Sequence, residues 1–164
     1  MYQRFEAEVA GGLGPGVDHD PSREPRLVGP LHYEFDGWLG DDIVTTSGYW
    51  IVSAPLADAL RASTLSGFEL AEVVVTTEQQ FGALPLPRPF PERWERLVPT
   101  GSRAAGDDVV LEDRVDLLVS DAALALLQEF EIGEAFTTPA DEPPFEGDVM
   151  QRFLAQQRAK GNPV

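Results

Sequence analysis

Residues 50–76 read WIVSAPLADALRASTLSGFELAEVVVT, and the changes of period along this stretch decide the fold class. The apolar run Trp50-Ile51-Val52 has strand character and stops at Ser53, whose hydroxyl suits the free N–H groups at a helix start. Pro55 falls near the first helical position, where its missing N–H costs nothing. Leu56 and Leu60, four apart, share one helix face. Gly67 is a helix-stop signal, and the valine-rich segment Phe68 to Thr76 predicts a second strand. The stretch therefore predicts strand–helix–strand.

A second stretch has the same layout. Leu117-Leu118-Val119-Ser120 leads into DAALALLQEFEI. Leu127 lies seven residues after Ser120, as Leu60 does after Ser53, and Ile132 lies twelve after, as Leu65 does. The helix after Ser120 is apolar nearly all round, which predicts deep burial, and Asp121 suits the positive end of its dipole. Two such segments point to an α+β single domain with two strand–helix–strand repeats, a mixed sheet and a C-terminal helix.

Working outward, Tyr2 to Val9 alternates with Gln3, Phe5, Ala7 and Val9 as the more apolar set, which predicts a half-buried strand. Gly11 to Pro30 is rich in Gly and Pro and predicts a loop; its Gly12-Leu13-Gly14-Pro15-Gly16 opens no helix and makes a poor phosphate cradle. Short strands are expected at Leu31–Phe35, Ile43–Thr46, Val109–Leu111 and Val115–Val119, whereas Glu92–Val98 fits helix or strand. Pro85, Pro87, Pro89 and Pro91 exclude a helix interior and a central strand. Three segments result: residues 1–30, a strand and loop; 31–138, the α+β core; and 139–164, a linker with an amphipathic helix over Phe145 to Lys160.

At 164 residues the chain is long enough for one domain with a real core. It has no cysteine, so a disulfide scaffold and thiolate metal sites are excluded. No apolar run approaches a membrane span, and the first 30 residues lack the pattern of a signal peptide, so a cytoplasmic protein is expected. The net charge of −16 repels phosphate backbones, argues against direct nucleic-acid binding and favours a basic protein partner. The same acidity also maintains solubility.

Candidate chemistry is sparse. Asp18-His19-Asp20 lacks the three or four convergent ligands of a metal site, and His32, on an expected strand, fits a structural role. Asp36, Asp41, Asp42 and the pair Asp107-Asp108 form an acidic set with no calcium-loop spacing. No serine sits in a nucleophile elbow. No metal, cofactor or catalytic residue is expected. Trp50 is expected in the core, whereas Trp38, between the turn pairs Asp36-Gly37 and Gly40-Asp41, is expected as an exposed anchor. The partner-binding residues expected are Asp36, Trp38, Asp41 and Asp42. A metal-dependent hydrolase using the same acidic loop, and a scaffolding subunit assembling through the C-terminal helix, remain open alternatives.

The segment FDGWLGDDIVTT, then Ile51-Val52-Ser53, Leu60, and Leu65-Ser66-Gly67-Phe68-Glu69-Leu70, with the echo at Leu118-Val119-Ser120, resembles a group of bacterial immunity proteins. These are the myxobacterial-type immunity domains of polymorphic toxin systems. The resemblance covers roughly residues 31–132. It implies a non-enzymatic α+β protein that binds and neutralises a toxin encoded beside it, and it carries no catalytic residue across.

Overall fold

The computed structural model describes residues 1–142 and, beyond them, Leu154, Arg158 and Gly161. Within residues 1–142, fourteen strands and two helices follow in chain order: β1 (Tyr2–Glu6), β2 (Glu8–Val9), β3 (Gly11–Leu13), β4 (Asp18–His19), β5 (Leu27–Val28), β6 (Leu31–Phe35), β7 (Ile43–Thr46) and β8 (Tyr49–Ser53), then α1 (Ala54–Ala62), β9 (Phe68–Ala71), β10 (Val73–Thr77), β11 (Trp94–Pro99), β12 (Val109–Glu112), β13 (Asp116–Ser120), α2 (Asp121–Leu127) and β14 (Phe136–Pro139). The fold is mixed α+β in a single domain. The helix expected over Phe145 to Lys160 lies outside the described residues.

A five-stranded sheet runs β2-β7-β8-β11-β9, a four-stranded sheet runs β12-β13-β1-β14, and a three-stranded sheet runs β10-β6-β3. The pairs β2–β7 and β6–β10 are parallel and the rest antiparallel. Each strand–helix–strand segment straddles one antiparallel strand. The segment β8–α1–β9 closes over β11, with Arg96 opposite Ile51 on one side and Ala71 on the other. The segment β13–α2–β14 closes over β1, with Arg4 opposite Leu118 and Thr138. Ile51 to Ala71 is the same sequence distance as Leu118 to Thr138, so the two crossovers match in register as well as in layout.

These segments are not free-standing units. β11 leads into β12 yet completes the sheet of β7, β8 and β9, while β1 completes the sheet of β12, β13 and β14. Residues 1–30 are likewise woven into the body: β1 is a central strand and β3 pairs with β6. Gly11 makes the second contact possible, because a Cβ there would run into the Glu34 carbonyl.

All five residues of β8 are buried, which explains its unbroken apolar run. Trp50 and Val52 join Phe5, Ile43, Leu56, Leu60, Leu97, Leu117 and Leu127 in one core. Tyr49 and Ile51, on the other face, join Leu31, Tyr33, Phe35, Trp38, Val44 and Trp94 in a second. The single strand expected over Phe68 to Thr76 breaks at Glu72, where the chain leaves β11 and pairs with β6 instead. α2 also departs from expectation: only Ala123 and Leu127 are fully buried, where it packs against β13, β1 and α1, while Leu124 and Leu126 are partly covered and Asp121, Ala122 and Ala125 are exposed.

Candidate functional site

The segment joining β6 to β7, Asp36-Gly37-Trp38-Leu39-Gly40-Asp41-Asp42, is where partner binding is expected, and the fold gives its residues unequal roles. Trp38 is not an exposed anchor. It is 3% exposed, its Nε1 donates to the Asp41 carbonyl at 2.9 Å, and Phe90 meets it edge-on at 5.2 Å. The Arg88 guanidinium stacks 4.9 Å from its ring centre. The proline-rich segment 85–91, which forms no regular element, supplies both covers.

Asp41 and Asp42 are buried as well, which overturns their placement on an open acidic face. The Asp41 carboxylate accepts the Glu134 N–H at 3.0 Å. Asp42 accepts the Ser53 hydroxyl at 2.6 Å and the Glu131 N–H at 2.9 Å. Arg88 Nη2 lies 2.9 Å from Asp42 Oδ1, an ion pair off hydrogen-bond geometry, while Arg88 Nε donates to the Gly40 carbonyl at 2.8 Å. Both carboxylates thus satisfy free N–H groups of the irregular chain after α2, which would otherwise be orphaned. Ser53 makes no side-chain cap on α1, whereas Ser120 accepts from Ala123 N on α2 at 3.1 Å.

The residue that fixes the loop was not expected. Glu8 is 5% exposed, and its carboxylate accepts the N–H of Leu39 at 2.9 Å and of Asp41 at 3.2 Å. Burial raises its pKa above the ordinary 4.5, against the lowering effect of those two bonds, with the nearby Glu134 charge adding to the rise. Alternation along Tyr2 to Val9 places Glu8 outward, but the break between β1 and β2 at Ala7 turns both Ala7 and Glu8 inward. The sequence carries no signal of that break, because the alternation runs on through Ala7.

Asp36 and Leu39 remain at the surface, Leu39 at 65%. With Glu78, Leu84, Leu86 and Glu134 they line a groove of about 650 Å³. Its acidic members are Asp36, Glu78 and Glu134, and no basic side chain lines it among the described residues. Leu84, from the 80–87 segment, is 79% exposed.

The other acidic positions have structural duties. Asp108 accepts the hydroxyl of Ser120 at 2.7 Å and the Ser66 N–H at 3.0 Å, and Asp107 accepts the Ser102 N–H at 2.9 Å. His32 Nε2 lies 2.7 Å from Thr76 Oγ1 on the neighbouring strand. Asp18 pairs with Arg23, and Asp20 accepts from Ser22 within the β4–β5 turn. Among the described residues no three His, Asp or Glu side chains cluster as metal ligands would. No helix among them is long and apolar enough to cross a membrane. Searches of family models, of curated proteins and of solved structures each found no match to this chain.

Proposed function

We propose that the chain is an immunity-type binding protein that neutralises a basic toxin domain encoded beside it, acting in the cytoplasm of the producing cell and without catalysis of its own. The observation that carries this reading is the groove beside the β6–β7 loop, where carboxylates and exposed leucines occur together in a chain of net charge −16. Such a surface attracts cationic groups at long range and offers apolar area on contact. Blocking is steric: a partner seated there is occluded by the body of the protein, and no bond is made or broken. Of the four residues expected at the interface, Asp36 keeps that role. Trp38, Asp41 and Asp42 support the loop from beneath.

Co-expression tests the reading. Cells producing the toxin domain encoded next to this chain should survive when the chain is present and die when it is absent. Death in both cases, with the chain soluble and abundant, refutes it.

A further inference from the structure

Leu39 is an anomaly in energetic terms. A leucine 65% exposed gains little from its position, yet the loop on either side of it is clamped by several part-buried hydrogen bonds and a buried ring. Its own N–H is held by the Glu8 carboxylate, which is kept in a site whose burial opposes its charge. The next carbonyl, that of Gly40, is held by Arg88, and the Asp41 carboxylate is tied to the chain at Glu134. Before it, Trp38 is locked in the core by Phe90 and Trp94. A side chain needed only for solubility would not require this support. Fixing an apolar side chain beforehand lowers the entropy cost of seating it against a partner.

The surroundings specify the partner's chemistry. Leu84 also lines the groove, and the carboxylates are Asp36, Glu78 and Glu134. Arg88, the nearest arginine, is consumed internally by Asp42, Gly40 and the Trp38 ring, so it does not neutralise them. Elsewhere the sign reverses: Arg26 and Arg96 both stack on Tyr49, at 5.3 and 5.2 Å, and neither has a carboxylate within ion-pair distance among the described residues. A basic partner is therefore steered to the groove and away from that side.

We infer that the groove between the β6–β7 loop and the 80–87 segment is the docking site for a basic protein segment in which lysine or arginine alternates with an apolar side chain. The apolar residue sits between Leu39 and Leu84, and the flanking cations meet Asp36, Glu78 and Glu134. This deepens the immunity reading and rests on its assumption of a basic protein partner.

The test uses the full chain labelled with nitrogen-15 and three synthetic peptides: Lys-Leu-Lys-Leu-Lys, Lys-Gly-Lys-Gly-Lys and Glu-Leu-Glu-Leu-Glu. Amide shifts on adding the first should concentrate at residues 36–40, 78–86 and 134. The first should bind about tenfold more tightly than the glycine peptide, and the acidic peptide should not bind. The double variant Leu39→Ser/Leu84→Ser should bring the first peptide down to the affinity of the second. The triple variant Asp36→Asn/Glu78→Gln/Glu134→Gln should weaken both, with unfolding midpoints checked to show that each variant folds. Shifts spread evenly over the molecule, or equal affinity for the leucine and glycine peptides, overturn the assignment. The two readings fail separately: rescue of cells by folded groove variants removes the groove alone, whereas loss of rescue by the unaltered chain, with peptide shifts still mapped to the groove, removes the toxin partner alone.

Discussion

Asp42 and Asp108 hold the same post in the two halves of the chain. Each accepts the hydroxyl of the serine that precedes a helix, Ser53 at 2.6 Å and Ser120 at 2.7 Å. Each turns its second oxygen to a backbone N–H that follows the other half's helix: Glu131 for Asp42 at 2.9 Å, and Ser66 for Asp108 at 3.0 Å. The backbone repeats the exchange, since Asp42 N donates to the Glu131 carbonyl and Asp108 N to the Ser66 carbonyl. The aspartates thus latch the halves to each other, as β1 and β11 do by each lying in a sheet built from strands of the other half.

The latches differ in burial, and that sets their worth. Asp42 is 5% exposed and also balances Arg88, so Asp42→Ala leaves a hydroxyl and an N–H without their acceptor and a guanidinium without its counter-charge. The expected loss is about 3 kcal/mol or more. Asp108 is nearer to water, which can replace the lost acceptor, and Asp108→Ala should cost about 1–2 kcal/mol. Urea unfolding of both variants checks the order. Equal losses would mean that burial does not distinguish the two.

The Ser53 and Ser120 stretches were legible because strand and helix periods differ and because the spacings to Leu60 and Leu127 agree. The exchange of β1 and β11 was not legible. It depends on which strand lies between two others, and alternation within Tyr2–Glu6 or Trp94–Pro99 carries no trace of its neighbours. In the acidic loop, the Asp-Gly and Gly-Asp pairs announced a turn correctly but not its depth. A turn is taken to lie at the surface, and only the remote N–H groups of Glu131 and Glu134 explain why two aspartates go inside.

Trp38 separates a core position from an interface position experimentally. As a surface anchor its removal would cost little stability. With 3% exposure, a bond to the Asp41 carbonyl and the Arg88 stack, Trp38→Ala should lose about 3–5 kcal/mol. Leu39→Ser, one residue on, should change stability by no more than about 0.5 kcal/mol. Thermal or urea unfolding of the pair decides it, and a mild Trp38→Ala would contradict the packing described.

Stability should depend on pH through two carboxylates of opposite sign. The Ser120 hydroxyl, and after it the Ser66 N–H, hold Asp108 below its ordinary 3.8. Its contribution is therefore present above that value and is lost as pH falls through the lowered one. Burial lifts Glu8 above 4.5, so its contribution is complete below that value and is lost as pH rises through the raised one. Asp108→Asn should flatten the acid limb, and Glu8→Gln should flatten the loss that sets in as pH rises above 4.5. Unfolding free energies measured from below 3.8 to well above 4.5 should show the two variants diverging from the parent on opposite limbs; curves parallel to the parent would refute both assignments.

Gly67 and Gly101 press together at the join between the halves, both against the Val109 carbonyl, and Gly67 is the one of the two with a positive φ. It follows α1 with φ +91°, a left-handed conformation that side chains strain to adopt, and an added Cβ would strike the Val109 carbonyl oxygen. Its own carbonyl accepts the N–H groups of Thr100 at 2.8 Å and Gly101 at 3.0 Å, so the chain cannot step aside without breaking the link between β11 and β12. Gly67→Ala should therefore cost at least about 2 kcal/mol, combining backbone strain with the clash. Gly82→Ala is the control: it shares a positive φ of +81° but a Cβ there meets nothing, so only the strain of about 1 kcal/mol applies. Unfolding midpoints for the two variants measure the difference, and it is the excess at Gly67 that reports how closely the halves are pressed together.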